Sequence, residues 1–346
     1  MNHAIFVDWI TVGKSFALEC QDRGIGLPVL CRGASVLYDH NGIPRYERAI
    51  PATFGASHGT SVKVSSNGVY VSFSGNIGRL SRCDNLFNYG WRETKSKLES
   101  FLLDKGLPKL TAEPIPGDFR EPLHARVSRL DITANYSTGS ESQARAFIRW
   151  LSAKSLRRMK KGAAGDESVW WSNGSRMFKA YIKHIELEKH GMKKDHPVYQ
   201  WCRDNGIVRV ELELKRHRLR QFEMNDFEDI TQEQIEHIYE HETEILKTVD
   251  RSDEPDILDA IPPRYRMTAA AWMGGEDVRT LVSRATLFRH AKILREYGLD
   301  ILEPRNIVKF PTKVNVIELK PISPPDWYRF DDSYLEERAL RLVSNE

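Results

Sequence analysis

The chain has 346 residues, 40% hydrophobic and 29% charged, with a formal net charge of +3. It is long enough for two domains, or one large domain with an appendage, and no apolar run approaches the roughly 18 residues of a membrane helix. Four separated cysteines (Cys20, Cys31, Cys83 and Cys202) with no CxxC pair argue against a zinc cluster or disulfide framework, and the N-terminus does not read as a signal peptide, so the cytoplasm is the expected compartment.

Residues 4–12 read as a strand ended by Gly13, and residues 61–74 as a hairpin around Ser66-Asn67-Gly68. Residues 91–104 have helical spacing, stopped by Gly106 and Pro108, and Pro114–Pro122 reads as a loop. Residues 125–135 are a strand, after which Ser140 caps a helix running to Arg157. Lys160–Asp166 is expected as a flexible basic loop. Residues 168–172 and 177–183 read as strands joined around Asn173-Gly174, and 207–215 alternate most cleanly of all. Beyond about residue 220 the pattern turns helical: a helix over 231–249 capped by Thr231, an acidic linker over Asp250–Pro263, then helices near 267–273, 276–282 and 284–297.

These elements predict an α+β fold with a largely antiparallel central sheet, flanking helices and a mainly α-helical C-terminal region. The expected division is an α+β domain over 1–222, a helix and acidic linker over 223–263, and a helical DNA-binding region over 264–346. Charge is unevenly spread. Lys154, Arg157, Arg158, Lys160, Lys161, Arg176, Lys179 and Lys183 make the middle basic, while the stretch from Glu223 to Asp259 is acidic. A phosphate-binding surface and ordinary solvated helix faces both fit this pattern.

Alternation puts Arg129, Asp131 and Thr133 on one face of the 125–135 strand, and Arg209, Glu211, Glu213 and Lys215 on one face of the 207–215 strand. If the strands are neighbours, Asp131, Glu211 and Glu213 meet, giving either oxygen ligands for a hard divalent cation or cross-strand salt bridges with Arg129 and Arg209. Between them, Lys179, Tyr181 and Lys183 project to one side of the expected 177–183 strand. Adjacent ammonium groups would favour a phenolate able to attack a phosphodiester; an amphipathic strand surface has the same pattern. In the last third, Ser283 caps a helix whose apolar stripe is Leu287, Ala291 and Leu294, which leaves Arg284, Arg289 and Lys292 for DNA, as in a helix-turn-helix. A packed helix pair with solubilising bases fits that spacing equally.

The order of these pieces resembles the gene II/gene X replication initiation proteins of filamentous bacteriophages. Asp8-Trp9 is similar to the family's opening. Val71-Ser-Phe-Ser-Gly-Asn76 with Asn85-Leu-Phe87 and Gly90 is similar to its Ser-Gly-Asn…Asn-Leu-Phe segment. Arg129-Leu-Asp131, Ser175–Glu186 and Arg209-Val-Glu211 resemble its Arg-x-Asp strand, nucleophile segment and Arg-x-Glu strand. Trp272, Gly275, Asp277-Val-Arg279, Thr286–Arg289 and Tyr297–Ile301 resemble its C-terminal segment.

The resemblance implies a permuted rolling-circle-initiator-like core. It also implies rolling-circle initiation: nicking of one strand at a phage origin through a 5′-phosphotyrosine at Tyr181, a free 3′ hydroxyl, and later rejoining. Lys179 and Lys183 would assist Tyr181. Asp131, Glu211 and Glu213 would hold Mg²⁺ or Mn²⁺, with His124 a further candidate ligand because no His-hydrophobic-His motif occurs. Arg129, Arg209 and Arg176, with Arg284, Arg289 and Lys292, would contact DNA. The implied partners are double- and single-stranded origin DNA and a host helicase and polymerase, in the bacterial cytoplasm and away from membrane. The alternative is a non-catalytic origin-binding or regulatory protein of the same fold. A tyrosine recombinase would need an arginine-rich catalytic set that the sequence does not offer.

Overall fold

The structure, a computed structural model, describes residues 3–55, 61–80, 82–112, 123–247, 258, 261–273, 276–297, 299, 301–302 and 320–330. The loop expected at Pro114–Pro122, residues 250–257 and 259–260 of the Asp250–Pro263 linker, and Gly275 lie outside the described residues. The chain divides into two compact units: Met1–Arg149 with Ser155–Leu246 and Lys320–Glu346, and Trp150–Lys154 with Lys247–Leu319.

The first unit is built on a mixed α+β frame with a large antiparallel sheet, as the alternation predicts. Its strands are β1 (Ile5–Ser15), β2 (Val29–Leu30), β3 (Gly33–Tyr38), β4 (Pro44–Ile50), β5 (Ala52–Phe54), β6 (Val62–Asn67), β7 (Tyr70–Gly75), β8 (Arg126–Ser137), β9 (Lys160–Ala164), β10 (Ser168–Ser172), β11 (Arg176–Ile182) and β12 (Ile207–Lys215). Among the described residues, ten strands form one sheet in the order β2-β6-β7-β1-β8-β12-β11-β10-β9, with β5 also on β6, and β3 pairs with β4 separately. The helices are α1 (Ala17–Arg23), α2 (Trp91–Asp104), α3 (Glu141–Ala153), α4 (Lys183–Lys189), α5 (Pro197–Asp204), α6 (Arg216–Gln221) and α7 (Gln232–Lys247).

Period-two alternation decides which face of the sheet is dry. Leu130, Ile132 and Ala134 of β8, Leu212 and Leu214 of β12, and Phe178 and Ala180 of β11 are fully buried on one face. Tyr239 of α7 covers that face, its hydroxyl donating to the Val210 carbonyl at 3.0 Å. The opposite face carries the polar residues of the same strands.

Four local expectations are corrected. Lys160–Ala164 is a strand paired with β10, not a loop. Its Gly and Ala residues give no hydrophobic period, and Trp170 lies so close over Gly162 that a Cβ there would strike the indole. Strand β1 runs through Gly13 to Ser15, still paired with β7, and the Tyr70 ring occupies the space a side chain at position 13 would need. Helix α3 ends at Ala153 rather than Arg157, and Arg158 takes a positive φ of 60°. Strand β11 stops at Ile182, so Lys183 opens α4 instead of continuing the strand.

The segment 320–330 returns to this unit. Tyr328 joins a core cluster with Phe6, Leu86, Phe87, Leu187, Val198, Cys202 and Ile207. Its hydroxyl donates to Asp84 at 2.7 Å, and Asp84 in turn accepts from the Leu86 amide at 2.7 Å.

The second unit is helical: Pro263–Met273, Val278–Leu281 and Arg284–Glu296. Ser283 caps the last of these, accepting from the Thr286 amide at 3.3 Å. Leu287, Ala291 and Leu294 face a core that also holds Ile261, Tyr265, Ala269 and Val278. Arg284, Arg289 and Lys292 stand exposed.

Candidate active site

Strands β8 and β12 are neighbours, with Glu213 opposite Asp131, Glu211 opposite Thr133 and Arg209 opposite Asn135. Strand β11 lies on the far side of β12, with Tyr181 opposite Arg209 and Lys179 opposite Glu211. The expected side chains therefore share one face, in three rows about 7 Å apart along the strands.

The middle and inner rows hold the tyrosine. The Tyr181 hydroxyl donates to Glu211 Oε1 at 2.5 Å, and Lys179 Nζ lies 4.0 Å from Glu211 Oε2. Lys179 and Lys183 flank the phenol ring, their ammonium nitrogens 4.5 and 5.8 Å from its centroid. Tyr181 is 5% exposed, among polar groups rather than in the apolar core. Burial, with Glu211 and Glu186 close by, holds its phenol well above the ordinary tyrosine range, against the pull of Arg209. This corrects the expectation that the adjacent lysines favour the phenolate: the resting group is a phenol whose proton points at Glu211.

Lys183 is fully buried; its nitrogen donates to Asn85 Oδ1 and Glu186 Oε2, both at 2.7 Å. Burial lowers the Lys183 ammonium from its usual range. Burial alone would raise the Glu186 carboxyl, but Lys183 outweighs it and brings the group down to about 2. A depressed carboxyl contributes stability that is complete above pH 4.5 and is lost as pH falls toward 2. Glu186→Gln should therefore flatten the fall in unfolding free energy between pH 4.5 and 2 by on the order of 3 kcal/mol, read from denaturant melts across that window. An unchanged slope would contradict the pairing.

Arg209 corrects another expectation. It is fully buried, and its guanidinium donates to Asn135 Oδ1 at 3.0 Å and to the Asn85 and Leu86 carbonyls, with Asp8 at 3.7 Å. It therefore presents no donor to DNA. Asp8 itself sits in a β-bulge: β8 pairs with Val7 and then Trp9, so Asp8 is the extra residue, turned inward. Asn76 Nδ2 donates to Asp8 at 2.7 Å, and Asn88 Nδ2 donates to Asn76 at 2.8 Å. Asp8, Asn76, Asn85 and Asn135 were not singled out as site residues. The signal was there in Asp8, a charge inside an apolar strand, which requires a partner.

Asp131 and Glu213 are bridged by Arg129, which donates to Asp131 at 2.8 and 2.6 Å and reaches Glu213 at 3.0 Å. Lys215 lies 3.3 Å from the other Glu213 oxygen. Burial pushes the Asp131 carboxyl up to about 7 despite Arg129. Glu211 stands one row away, engaged by Tyr181. Among the described residues no three His, Cys, Asp or Glu side chains converge on a cation-sized site. As placed, Asp131, Glu211 and Glu213 do not fit a single three-carboxylate metal site. His124 is not with them; its Nδ1 lies 3.0 Å from Asp226. Arg176 alternates onto the opposite face of β11 and pairs with buried Glu242 of α7, so it too is removed from the tyrosine.

Asp8, Asn76, Asn85, Tyr181, Lys183, Arg209 and Glu211 thus gather from distant segments into one polar network. A family model for the N-terminal region of the phage replication-associated protein encoded by gene II matches residues 16–237, and the model for the C-terminal region of the same protein matches residues 260–333. The chain belongs to the gene II replication-associated protein family. The replication-associated protein of Enterobacteria phage I2-2 is 27% identical over 221 residues, 58% of this chain and 62% of that protein. That of Escherichia phage If1 is 24% identical over 314 residues, 77% of this chain and 97% of that protein. A rolling circle replication initiator protein from Geobacillus stearothermophilus is similar in structure at 13% identity, covering 63% of this chain and 76% of that one with a TM-score of 0.31, too loose to match individual side chains. Within the N-terminal family match lie all the network residues except Asp8.

Proposed function

We propose that this gene II-family chain is a rolling-circle replication initiator that nicks one strand of a phage origin. The observation that carries the reading is the Tyr181 hydroxyl held 2.5 Å from Glu211 between two lysines, on the polar face of a rigid sheet. Glu211 takes the phenol proton as the oxygen attacks the scissile phosphorus. The new bond is O(Tyr181)–P; the bond that breaks is P–O3′, and the leaving oxygen takes up a proton to become the 3′ hydroxyl. Lys179, half-exposed beside Tyr181, neutralises charge on the non-bridging phosphate oxygens. The reverse reaction rejoins strands. Arg129 borders the same face, and Arg284, Arg289 and Lys292 of the second unit contact duplex phosphates. Host helicase and polymerase would extend from the free hydroxyl in the bacterial cytoplasm; among the described residues no helix is long and apolar enough to cross a membrane.

Membership of the family leads us to expect Mg²⁺ or Mn²⁺, yet the carboxylates as placed do not fit one ion, and no step above runs through it. Loss of the adduct in EDTA, restored by Mn²⁺, would show that a cation is needed. The near-complete burial of Tyr181 favours the rival reading, a non-catalytic origin-binding protein. Incubation with labelled origin DNA, denaturation and peptide mass spectrometry separate the two. The expected result is a nucleotide adduct on the peptide carrying Tyr181; an adduct elsewhere, or none with either metal, overturns the nicking reading.

A further inference from the structure

An open cavity of about 300 Å³ lies beside α4, at the lower end of the range for small-ligand pockets. Leu187 and Met192 give it an apolar floor, and Arg79, His190, Lys193 and His196 line it, with Asp195 the acid among them. Arg79 is 9% exposed, and its Nε is buried without a hydrogen-bond partner. Among the described residues no carboxylate pairs with this guanidinium. A cation buried without a counter-charge is costly, so the site is suited to an anion.

The pocket is tied to the tyrosine network at two points. Asn76, which holds Asp8, also accepts the Arg79 amide at 3.0 Å. Glu186 gives one oxygen to Lys183 at 2.7 Å and has the other 3.5 Å from His190 Nε2. Lys183 and His190 are about 10 Å apart along the axis of α4. His196 Nδ1 accepts from the Val198 amide at 3.2 Å, and its Nε2 lies 3.8 Å from Cys83 Sγ at the pocket edge.

We propose that this pocket binds one nucleotide of the strand that is cut, its phosphate against Arg79 and Lys193 and its base over Met192. The inference rests on the reading of Tyr181 as acting on DNA. The apolar floor argues for a nucleotide rather than a bare phosphate.

The test uses the full chain and fluorescein-labelled oligo(dT). Arg79→Gln and Lys193→Gln should each weaken binding about tenfold and cut the slope of log affinity against log salt by about 0.7. Lys193 is exposed, so its variant keeps the test open if Arg79→Gln does not fold. In a Cys31→Ser background, saturating oligo(dT) should also protect the exposed Cys83 thiol from iodoacetamide. Unchanged affinity and slope in Lys193→Gln, with Cys83 unprotected, overturns the pocket. Protection by inorganic phosphate but not by oligo(dT) overturns the nucleotide assignment. Neither readout needs covalent chemistry: pocket effects without any Tyr181 adduct would refute the nicking reading alone, and an adduct with no pocket effect would refute the pocket alone.

Discussion

Tyr181→Phe should abolish covalent capture of origin DNA, a loss on the order of 10⁴-fold or more, while the protein stays folded and still binds DNA. The substitution removes one oxygen. The ring keeps its place between Lys179 and Lys183, and Glu211 keeps Lys179 at 4.0 Å, so the structural cost is one hydrogen bond, about 1 kcal/mol. The reaction cost is far larger, because the removed oxygen is the one that bonds phosphorus. Denaturant-stable adduct formation and oligonucleotide affinity should be measured side by side. Adduct at the wild-type level would remove Tyr181 from the mechanism. Glu211→Gln should lower the rate while leaving some adduct, since the phenol keeps a hydrogen-bond acceptor but loses its base.

Arg209→Met should be the most destabilising single change in the network, by about 3–5 kcal/mol. Its guanidinium satisfies Asn135 Oδ1, two backbone carbonyls and the Asp8 charge, all away from water. Methionine fills the volume but takes the donor away from Asn135 Oδ1 and the Asn85 carbonyl and the counter-charge away from Asp8, which keeps only Asn76, while the Leu86 carbonyl keeps only Asn135 Nδ2. Against a typical total of about 5–15 kcal/mol, that is a large share of the folding free energy. Arg209→Lys should recover only part, because a single ammonium cannot span Asn135 and both carbonyls as a planar fork does. Urea midpoints at constant slope give the comparison. A loss under 1 kcal/mol for Arg209→Met would show that the network does not hold the site together. Pairing Arg209→Met with Asp8→Asn should restore some stability, since the stranded negative charge is then gone.

Much of the site was legible because strand alternation fixes side-chain direction without knowledge of the fold. The sequence alone determined that Asp131 shares a face with Arg129, that Glu211 and Glu213 share a face with Arg209, and that 207–215 is a strand, which is β12 to the residue. It also determined the hairpin at Asn67-Gly68 and the helix Trp91–Asp104, where turn chemistry and helical spacing are local properties. Only the tertiary structure decided which of those polar groups are spent on one another. Arg209 is a buried anchor because Asp8, Asn85 and Asn135, far from it along the chain, arrive at its guanidinium; Lys183 is a buried helix residue because β11 ends one position earlier. Arg129 sits between Asp131 and Glu213, and 320–330 packs back onto the segment that carries Asn85. Direction is set by backbone geometry over a few residues. Partnership and burial are set by the whole packed chain, and the charges that remain available for chemistry are those that packing leaves uncompensated.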